Sequence, residues 1–473
     1  MSTDPPRSDA LKIRRDALKI WTAGVDAVRS QRLVREAIRL HGPTLMVGDD
    51  QIPLDSIRRI VVVGAGKAGA GMAAAVEEVL GPQLMQEKDL AGWVNVPADC
   101  IDSAGGRDGS GRVKLHAARP PGINEPTPEG AEGSKQILRL VESLSADDLC
   151  LCLISGGGSA LMPAPARGIT LQDKLALTRH LSAAGANIEQ LNTVRKQLSS
   201  IKGGGLMRAC RAGRLVSLII SDVLGDPLDV IASGPTVEDS STPRAALEVL
   251  EHFAARDAGI SPSVFDYLRQ KQDVEPTPTT CRVTNLIIGN NATAVEAAGM
   301  EAERLGYTHA MVSAKQSEGP AEQLGVHLAE MALKMRGQPG PNCLISGGEP
   351  VVTLADESIR GLGGRNQQLV LAALQRLADA SGGISGAEIS GAGGISILSG
   401  GTDGEDGPTD AAGALLDAEV LAAARQQGLD PADYLGRNDA YHFFEPLGAL
   451  IKTGPTHTNV CDVRVVVVER SAT

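Results

Sequence analysis

A single lysine lies inside a glycine-rich turn near the amino terminus of this 473-residue sequence. In "IVVVGAGKAGAGM" (60–72) an apolar run leads into Gly64, Gly66 and Gly69, which have the G-x-G-x-x-G spacing of a dinucleotide site, and Lys67 stands among them. Such turns bind a pyrophosphate through backbone amides, whereas a lysine adds a cation. The turn is therefore either a cofactor fingerprint or a phosphate loop with a charge-neutralising side chain.

Two features separate these alternatives. A dinucleotide site carries an acid about 20 residues on, at the end of the next strand, but Glu87 and Asp89 precede the next apolar run, "GWVNV". Lys67 is followed by Ala68 rather than by Ser or Thr, so the turn is not a Walker loop. What remains indicates phosphoryl transfer, in which positioning and charge neutralisation supply most of the catalysis.

A second glycine-rich loop predicts a cradle for phosphate or carboxylate. In "LISGGGSALM" (153–162) an apolar run ends in a serine, three glycines leave backbone amides uncovered, and a second serine can cap a helix. These residues are Ser155, Gly156, Gly157, Gly158 and Ser159. A plain tight turn is the alternative, and the G-x-S-x-G spacing of a nucleophile elbow is absent.

Cations are concentrated in two further segments. "NTVRKQLSSIKGGG" (192–205) contains Arg195, Lys196 and Lys202, and such a cluster in an acidic protein often marks an anionic ligand, although a solvated helix face is the alternative. In "GLGGRNQQ" (361–368), Arg365 follows glycines at the start of a predicted helix. An arginine in that position can form a bidentate contact with phosphate.

Carboxylates follow two predicted strands. Asp222 comes directly after one of them, and Asp403, Asp406 and Asp410 lie among glycines after another. One or two such groups can hold Mg²⁺ together with water, or accept a proton. The spacing does not fit a calcium-binding helix–loop–helix motif, and an Asx-rich turn is the alternative for Asp406 and Asp410.

The elements that must position these residues follow an α/β pattern, in which apolar runs alternate with helical segments. Predicted strands are 60–63, 149–154, 215–220, 285–288, 343–345, 395–398 and 464–468, and predicted helices are 68–80, 129–145, 171–186, 291–305, 320–336 and 366–379. Three of the strands end in Ser-Gly-Gly. Because ligands bind beyond the carboxyl ends of strands in open α/β sheets, we expect one cleft that receives loops from both halves.

Length and composition fit two soluble domains. Aromatic residues make up only 2% of the chain, so the core must consist of small and branched aliphatic residues, which suit buried parallel strands. The apolar spacing from Ser8 to Val28 predicts a first helix. "QDVEPTPTT" (272–280) predicts a linker, and 105–111 and 381–394 predict loops.

Charge and cysteine content exclude several classes of protein. A net charge of −12 argues against nucleic acid and anionic membranes as partners, and no apolar run approaches the roughly 18 residues of a membrane span. Seven cysteines without a Cys-x-x-Cys pair argue against a disulfide framework or structural zinc and favour a reducing cytoplasm.

Taken together, the motifs resemble one family, the type II glycerate kinases (glycerate 2-kinases of the MOFRL family). The resemblance covers nearly the whole chain and rests on "GAGKAG", "LISGGGSAL", "NTVRKQLSSIKGGGL", "SDVLGDPLDVIASGPT", "GGRNQ", "TDGEDGPTDAAGA" and "TGPTHTN" in family order. "ARPPGINEPTPEGAEG" is most similar to the animal-like branch. The resemblance implies a Rossmann-like amino-terminal domain over 1–271, a carboxy-terminal MOFRL-type α/β domain over 281–473, and an active site in the cleft between them.

The resemblance also implies an activity. It implies transfer of the γ-phosphoryl group of ATP to the 2-hydroxyl of D-glycerate. We further expect Mg²⁺ to accompany ATP, a cytoplasmic location, and a homodimer as one candidate assembly. The family's catalytic lysine and arginine fall on Lys67 and Arg365. From residue type, we expect Gly64, Gly66, Gly156, Gly157, Gly158 and Ser159 to bind the nucleotide, Ser155, Arg195 and Lys202 to bind glycerate, and Asp222 and Asp403 to bind Mg²⁺.

Several positions depart from the common family pattern, and two other functions stay open. Gln197 stands where many members have His, Gln368 where Glu is usual, and His457 and Cys461 where Gly and Asn are common. The glycine spacing around Lys67 also permits an NAD(P)H-dependent reductase of hydroxypyruvate or tartronate semialdehyde. A non-catalytic sensor of sugar acids or nucleotides is the third hypothesis.

Overall fold

The computed structural model describes residues 7–102, 111–120, 125–272, 278–380 and 393–469. The chain divides into two compact units. One unit comprises Ser30–Ile288, and the other joins the residues up to Arg29 to those from Gly289 onward.

The Ser30–Ile288 unit is built around a six-stranded sheet. Its strands are β1 (Ile38–His41), β2 (Thr44–Val47), β3 (Asp50–Pro53), β4 (Arg59–Ala65), β5 (Ala91–Pro97), β6 (Val113–Arg119), β7 (Asp148–Ile154), β8 (Arg214–Ile220) and β9 (Arg282–Gly289). Its helices are α2 (Ser30–Ala37), α3 (Gly69–Glu87), α4 (Asp99–Asp102), α5 (Pro128–Glu142), α6 (Gly158–Leu161), α7 (Leu171–Ala183), α8 (Ile188–Gln197), α9 (Gly205–Ala209), α10 (Pro243–His252) and α11 (Pro262–Lys271).

The order of the large sheet is β6-β5-β4-β7-β8-β9, and the pairs from β6 to β8 are parallel. The chain runs outward from β4 to one side through β5 and β6, then returns to place β7 on the other side of β4. The strand order therefore reverses between β4 and β7, which is the position where open α/β sheets bind ligands. Strands β1 to β3 form a separate small antiparallel sheet.

The second unit contains a mixed sheet. Its helices are α1 (Arg7–Ala27), α12 (Asn291–Arg304), α13 (Ala321–Gly337), α14 (Arg365–Ala380), α15 (Ala418–Gln426), α16 (Pro431–Gly436) and α17 (Ala440–Phe444), and its strands are β10 (His309–Ser313), β11 (Cys343–Gly348), β12 (Ile395–Gly401), β13 (Gly413–Leu416), β14 (Leu450–Ile451) and β15 (Asp462–Val468). The order is β10-β11-β15-β12-β13-β14. The fully buried strand β15 runs antiparallel to both of its neighbours, so its first residue lies beside the carboxyl ends of β11 and β12.

The predicted fold class is confirmed, because a parallel six-stranded sheet and a second α/β unit are both present. Every predicted strand and helix coincides with an observed element, and the predicted first helix is α1. That helix packs against α12, β12 and β15, and Trp21 Nε1 donates to the carbonyl oxygen of Gly400 at 3.3 Å. The described residues up to Arg29 thus belong to the second unit. The family domains over 1–271 and 281–473 stay predictions.

Most of the predicted linker and loop segments (105–111, 272–280 and 381–394) lie outside the described residues. None of the described helices has the length and apolar character needed to cross a membrane.

Candidate functional site

The turn that contains Lys67 is joined by hydrogen bonds to the turn that follows β7. The backbone N–H of Lys67 donates to the carbonyl oxygen of Gly156 at 2.9 Å, and the N–H of Ala68 donates to Ser155 Oγ at 3.0 Å. Ser155 is 2% exposed, so this second bond is shielded from water. The two predicted loops therefore form one structure at the point where the strand order reverses.

Glycine is required at two positions of this structure. Gly66 has a φ of +149°, and a Cβ on it would lie 2.0 Å from Ser155 Oγ. Gly157 has a φ of +76°, and a Cβ on it would lie 3.3 Å from Arg119 Nη2 and 3.8 Å from Lys67 Cγ. The absence of these side chains leaves room next to two cationic residues.

Arg119 was not predicted from the sequence. It is the last residue of β6 and is 5% exposed, and its guanidinium approaches the same glycine loop as Lys67. The segment "VKLHAAR" mixes apolar and polar residues, so its strand character was not recognised. Arg119 could have been identified as a cation at the carboxyl end of a strand near the reversal of strand order between β4 and β7.

Lys202 is buried among oxygen atoms of the loop that begins α6. Its Nζ lies 2.5 Å from Ser159 Oγ, 2.8 Å from the carbonyl oxygen of Ser159 and 3.4 Å from Ser233 Oγ. Arg195 Nη2 lies 3.4 Å from the same Ser159 Oγ. Burial, together with the nearby cations Arg195 and Lys174, holds the pKa of Lys202 well below its usual value, and burial also lowers the pKa of Arg195.

The helix that carries Arg195 is held by other lysines. Lys174 Nζ donates to the carbonyl oxygen of Leu198 at 3.1 Å, just beyond the end of α8, and burial lowers the pKa of Lys174 to about 7. Lys196, the third member of the predicted basic cluster, binds Asp229 at 3.1 Å. Two of the three predicted cations, Arg195 and Lys202, therefore face Ser159, while Lys196 is paired with a carboxylate.

In the second unit, Arg365 is the first residue of α14 and is held by two carboxylates. Its Nε and Nη2 donate to the two oxygens of Asp462 at 2.7 and 3.0 Å, and its Nη1 donates to Glu349 at 2.8 Å. Burial alone would lower the pKa of Arg365, but Asp462 and Glu349 outweigh this effect and raise it. The arginine is therefore a fixed, permanent cation beside the carboxyl ends of β11 and β12.

The acidic loop after β12 does not act as one cluster. Asp406 is fully buried and accepts the backbone N–H groups of Asn366 and Gln367 at 3.0 and 2.8 Å, so it caps α14; burial, opposed by these bonds, raises its pKa to about 7. Asp410 is exposed and binds Lys452 at 3.0 Å. Only Asp403 stays at the strand end, half-buried, and its Oδ1 accepts the N–H of Glu405 at 3.2 Å.

The predicted magnesium ligands lie in different units. Asp222 follows β8, half-buried, on the same edge of the sheet as Lys67, whereas Asp403 follows β12. Among the described residues, no group of three or more His, Cys, Asp and Glu side chains could hold a metal ion.

The residues that depart from the family pattern have structural contacts. Gln197 Nε2 donates to Asp239 Oδ2 at 3.0 Å, and Gln368 Nε2 donates to Glu322 Oε1 at 3.0 Å. His457 and Cys461 both adopt positive φ, at 58° and 68°, in the segment before β15. The two glutamines thus connect neighbouring elements of their own units.

Two family models match the chain. The model described as a domain of unknown function, DUF4147, matches residues 16–269, and the MOFRL family model matches residues 342–462.

Relatives match over most of their length. A glycerate kinase of Rattus norvegicus is 36% identical over 97% of this chain and 94% of its own, and a D-glycerate 2-kinase of Thermotoga maritima is 34% identical over 96% and 98%. A putative hydroxypyruvate reductase of Agrobacterium vitis is 38% identical over 87% and 99%. A crystal structure of a glycerate kinase from Thermotoga maritima matches with a TM-score of 0.78 and 34% identity, over 97% of this chain and 100% of that one.

Proposed function

The chain belongs to the glycerate kinase family, and from that premise we propose that it transfers the γ-phosphoryl group of ATP to the 2-hydroxyl of D-glycerate, giving 2-phospho-D-glycerate and ADP. The observation that supports this proposal best is the pair of joined turns at the strand reversal of the first unit. Lys67 and Arg119 both approach Gly157 there, and the missing side chain of that glycine leaves room beside the two cations. Two cations beside a glycine loop suit a polyphosphate, which needs neutralising charge.

The substrate acid is assigned to the cations around Ser159. Arg195 and Lys202 both approach Ser159 Oγ, and the acceptors around Lys202 are two hydroxyls and a carbonyl rather than a carboxylate. A buried cation without a carboxylate partner has unfavourable solvation, and an incoming carboxylate relieves it. Ser155 lies at the other end of the same loop, where its hydroxyl holds the Lys67 turn.

The transferred phosphoryl group is assigned to Lys67 and Arg365. The resemblance to the family places its catalytic lysine and arginine at these two positions. The Asp462 carboxylate fixes Arg365 through two hydrogen bonds, and Nη1 donates a third to the half-buried Glu349. A preorganised cation costs no reorientation when charge develops in the transition state.

Mg²⁺ is proposed to accompany the nucleotide. Asp222 and Asp403 supply hard oxygen donors that fit this ion, which commonly keeps most of its shell as phosphate oxygens and water. When bound, the ion would neutralise phosphate charge. Lys67 and Arg365 would add further positive charge.

The cellular setting is also a proposal. The sequence has seven cysteines and no Cys-x-x-Cys pair, and we infer a reducing compartment such as the cytoplasm from that pattern. We propose a homodimer as one candidate assembly. Light scattering would distinguish it from a monomer, because the measured mass would be about twice as large.

A reductase of hydroxypyruvate or tartronate semialdehyde is the alternative, and the name of the Agrobacterium vitis relative favours it. Glu87 ends α3 and Asp89 precedes β5, so neither lies at the carboxyl end of β5, where a ribose-binding acid belongs. Oxidation of NADH or NADPH with hydroxypyruvate, followed at 340 nm, would establish this activity.

The deciding assay couples the purified protein to enolase. Enolase converts 2-phosphoglycerate but not 3-phosphoglycerate, so phosphoenolpyruvate absorbance reports both the reaction and the position of the phosphate. We expect a signal that requires D-glycerate, ATP and Mg²⁺ together. ADP formation without phosphoenolpyruvate would reject the 2-position, and absence of ADP formation would reject the kinase assignment.

A further inference from the structure

Three consecutive residues of the first unit adopt left-handed backbone conformations. Ala232 has φ and ψ of 50° and 19°, Ser233 has a φ of 63°, and Gly234 has φ and ψ of 60° and 56°. Glycine adopts this conformation freely, but alanine and serine are each disfavoured there by roughly 1 kcal/mol. A turn that served only to connect two elements would be more stable with glycine at all three positions.

The strained segment is fixed to the loop that carries Lys202. The N–H of Gly203 donates to the carbonyl oxygen of Ser233 at 2.9 Å, and the N–H of Gly204 donates to that of Gly234 at 2.7 Å. These bonds hold the backbone of Ser233 next to that of Lys202. The strain is therefore maintained by the surrounding structure rather than relieved by it.

The result is that a buried hydroxyl reaches the substrate-binding groups. Ser233 is 1% exposed, and its Oγ lies 3.0 Å from Ser159 Oγ and 3.4 Å from Lys202 Nζ. Lys202 is itself 3% exposed. Two hydroxyls thus fix a flexible lysine ammonium at one point, and a side chain with four rotatable bonds would otherwise occupy many positions.

We propose that Ser233 is a positioning residue that holds Lys202 and Ser159 in the geometry that receives the carboxylate of D-glycerate. The proposal rests on the proposed function, since it concerns the acid-binding part of that site. Ser233 acts through Lys202 and Ser159 and need not touch the substrate. Its effect belongs to substrate binding, because the phosphoryl group is assigned to Lys67 and Arg365.

The test uses Ser233→Gly, which removes the hydroxyl and the backbone strain together. Because glycine suits a φ of 63°, we expect the melting temperature to stay the same or to rise by about 2–4 °C. We expect the KM for D-glycerate to rise about tenfold, the loss that follows from one hydrogen bond to a charged group. The kcat and the KM for ATP should stay within about threefold of wild type.

Two further variants separate strain from chemistry. Ser233→Ala removes the hydroxyl but keeps the strain, so it should raise the KM for D-glycerate to the same extent. Ala254→Gly relieves an alanine with a φ of 48° in an exposed turn after α10, so it should stabilise the protein without changing its kinetics. It is the matched control for strain relief away from the site.

The outcomes are distinguishable. Suppose that the wild-type enzyme phosphorylates D-glycerate and that both Ser233 variants keep its KM. The role of Ser233 would then be overturned, while the proposed function would stand. A wild-type protein that neither phosphorylates D-glycerate nor is stabilised by it against heat would overturn the proposed function and this inference with it. A selective rise in the KM for D-glycerate in both variants supports the inference.

Discussion

Replacing Arg365 by lysine tests whether a fixed guanidinium, rather than a positive charge alone, is needed for catalysis. Arginine satisfies both oxygens of Asp462 with Nε and Nη2 and still directs Nη1 towards Glu349. A lysine ammonium is a point charge on a flexible stem and cannot occupy all three positions at once. The variant therefore keeps the charge but loses the orientation.

The magnitude follows from these contacts. Asp462 is completely buried, so the loss of one of its two hydrogen bonds leaves a partly unsatisfied carboxylate and costs about 1–3 kcal/mol of folding free energy. In the transition state, loss of one preorganised donor lowers kcat by about 10²–10³. We expect kcat to fall in this range for Arg365→Lys and by at least as much for Arg365→Ala, with little change in the KM for D-glycerate.

The enolase-coupled assay measures the kinetic effect, and urea unfolding measures the effect on stability. Arg376→Lys is the matched control, since Arg376 lies on the same helix, α14, with a single ion pair to Glu330 at 3.2 Å. This control should keep wild-type kinetics. An Arg365→Lys enzyme with wild-type kcat would show that orientation by Asp462 contributes nothing to the reaction.

Three other changes have defined outcomes. Lys67→Ala should lower kcat by about 10²–10³ at unchanged stability; a folded, fully active variant would remove this lysine from the mechanism. Gly66→Ala should destabilise the first unit by about 2 kcal/mol or more in urea unfolding, because its Cβ would clash with Ser155 at a φ of +149°; an unchanged midpoint would refute the geometry of the turn. The pKa of Lys174 is about 7 in the folded protein, against an ordinary value of 10.5. Between these pH values the unfolded chain binds more protons than the folded one. The free energy of unfolding therefore rises with pH, by up to about 1.4 kcal/mol per pH unit from this group. Lys174→Met should remove that part of the slope, whereas the exposed control Lys135→Met should keep it.

The strands that carry the predicted loops were recognisable because they are buried on both faces. Strands β4 and β7 consist mainly of apolar residues, and glycine-rich turns follow the carboxyl ends of both. Strand β6 has one partly exposed face and alternates apolar with polar residues, so neither the strand nor Arg119 at its end was predicted. Periodicity over seven residues does not distinguish such a strand from a loop.

The packing of α1 and the roles of Asp406 and Asp410 depend on contacts between residues far apart in the sequence, which local patterns do not reveal. The apolar face of α1 predicted a helix, but only the folded structure shows that Trp21 packs beside Gly400, 379 positions away in the sequence. The sequence allowed the same two interpretations for Asp406 and Asp410, a cation-binding group or part of an Asx-rich turn. Their roles diverge because Asp406 meets the amino terminus of α14, whereas Asp410 meets Lys452 in solvent.

Arg365 and Lys202 have opposite electrostatic surroundings, and this contrast indicates which of them contributes to rate and which to binding. Arg365 is neutralised by Asp462 and Glu349, so an anion gains little affinity from it but meets a rigid donor. Lys202 is surrounded by hydroxyls and repelled by neighbouring cations, so an anion gains affinity there by restoring the missing counter-charge. Interactions that are equal in the ground and transition states affect binding, whereas rigid donors aimed at developing charge affect rate. On this reasoning, changes at Lys202 should act mainly on the KM for D-glycerate, and changes at Arg365 mainly on kcat.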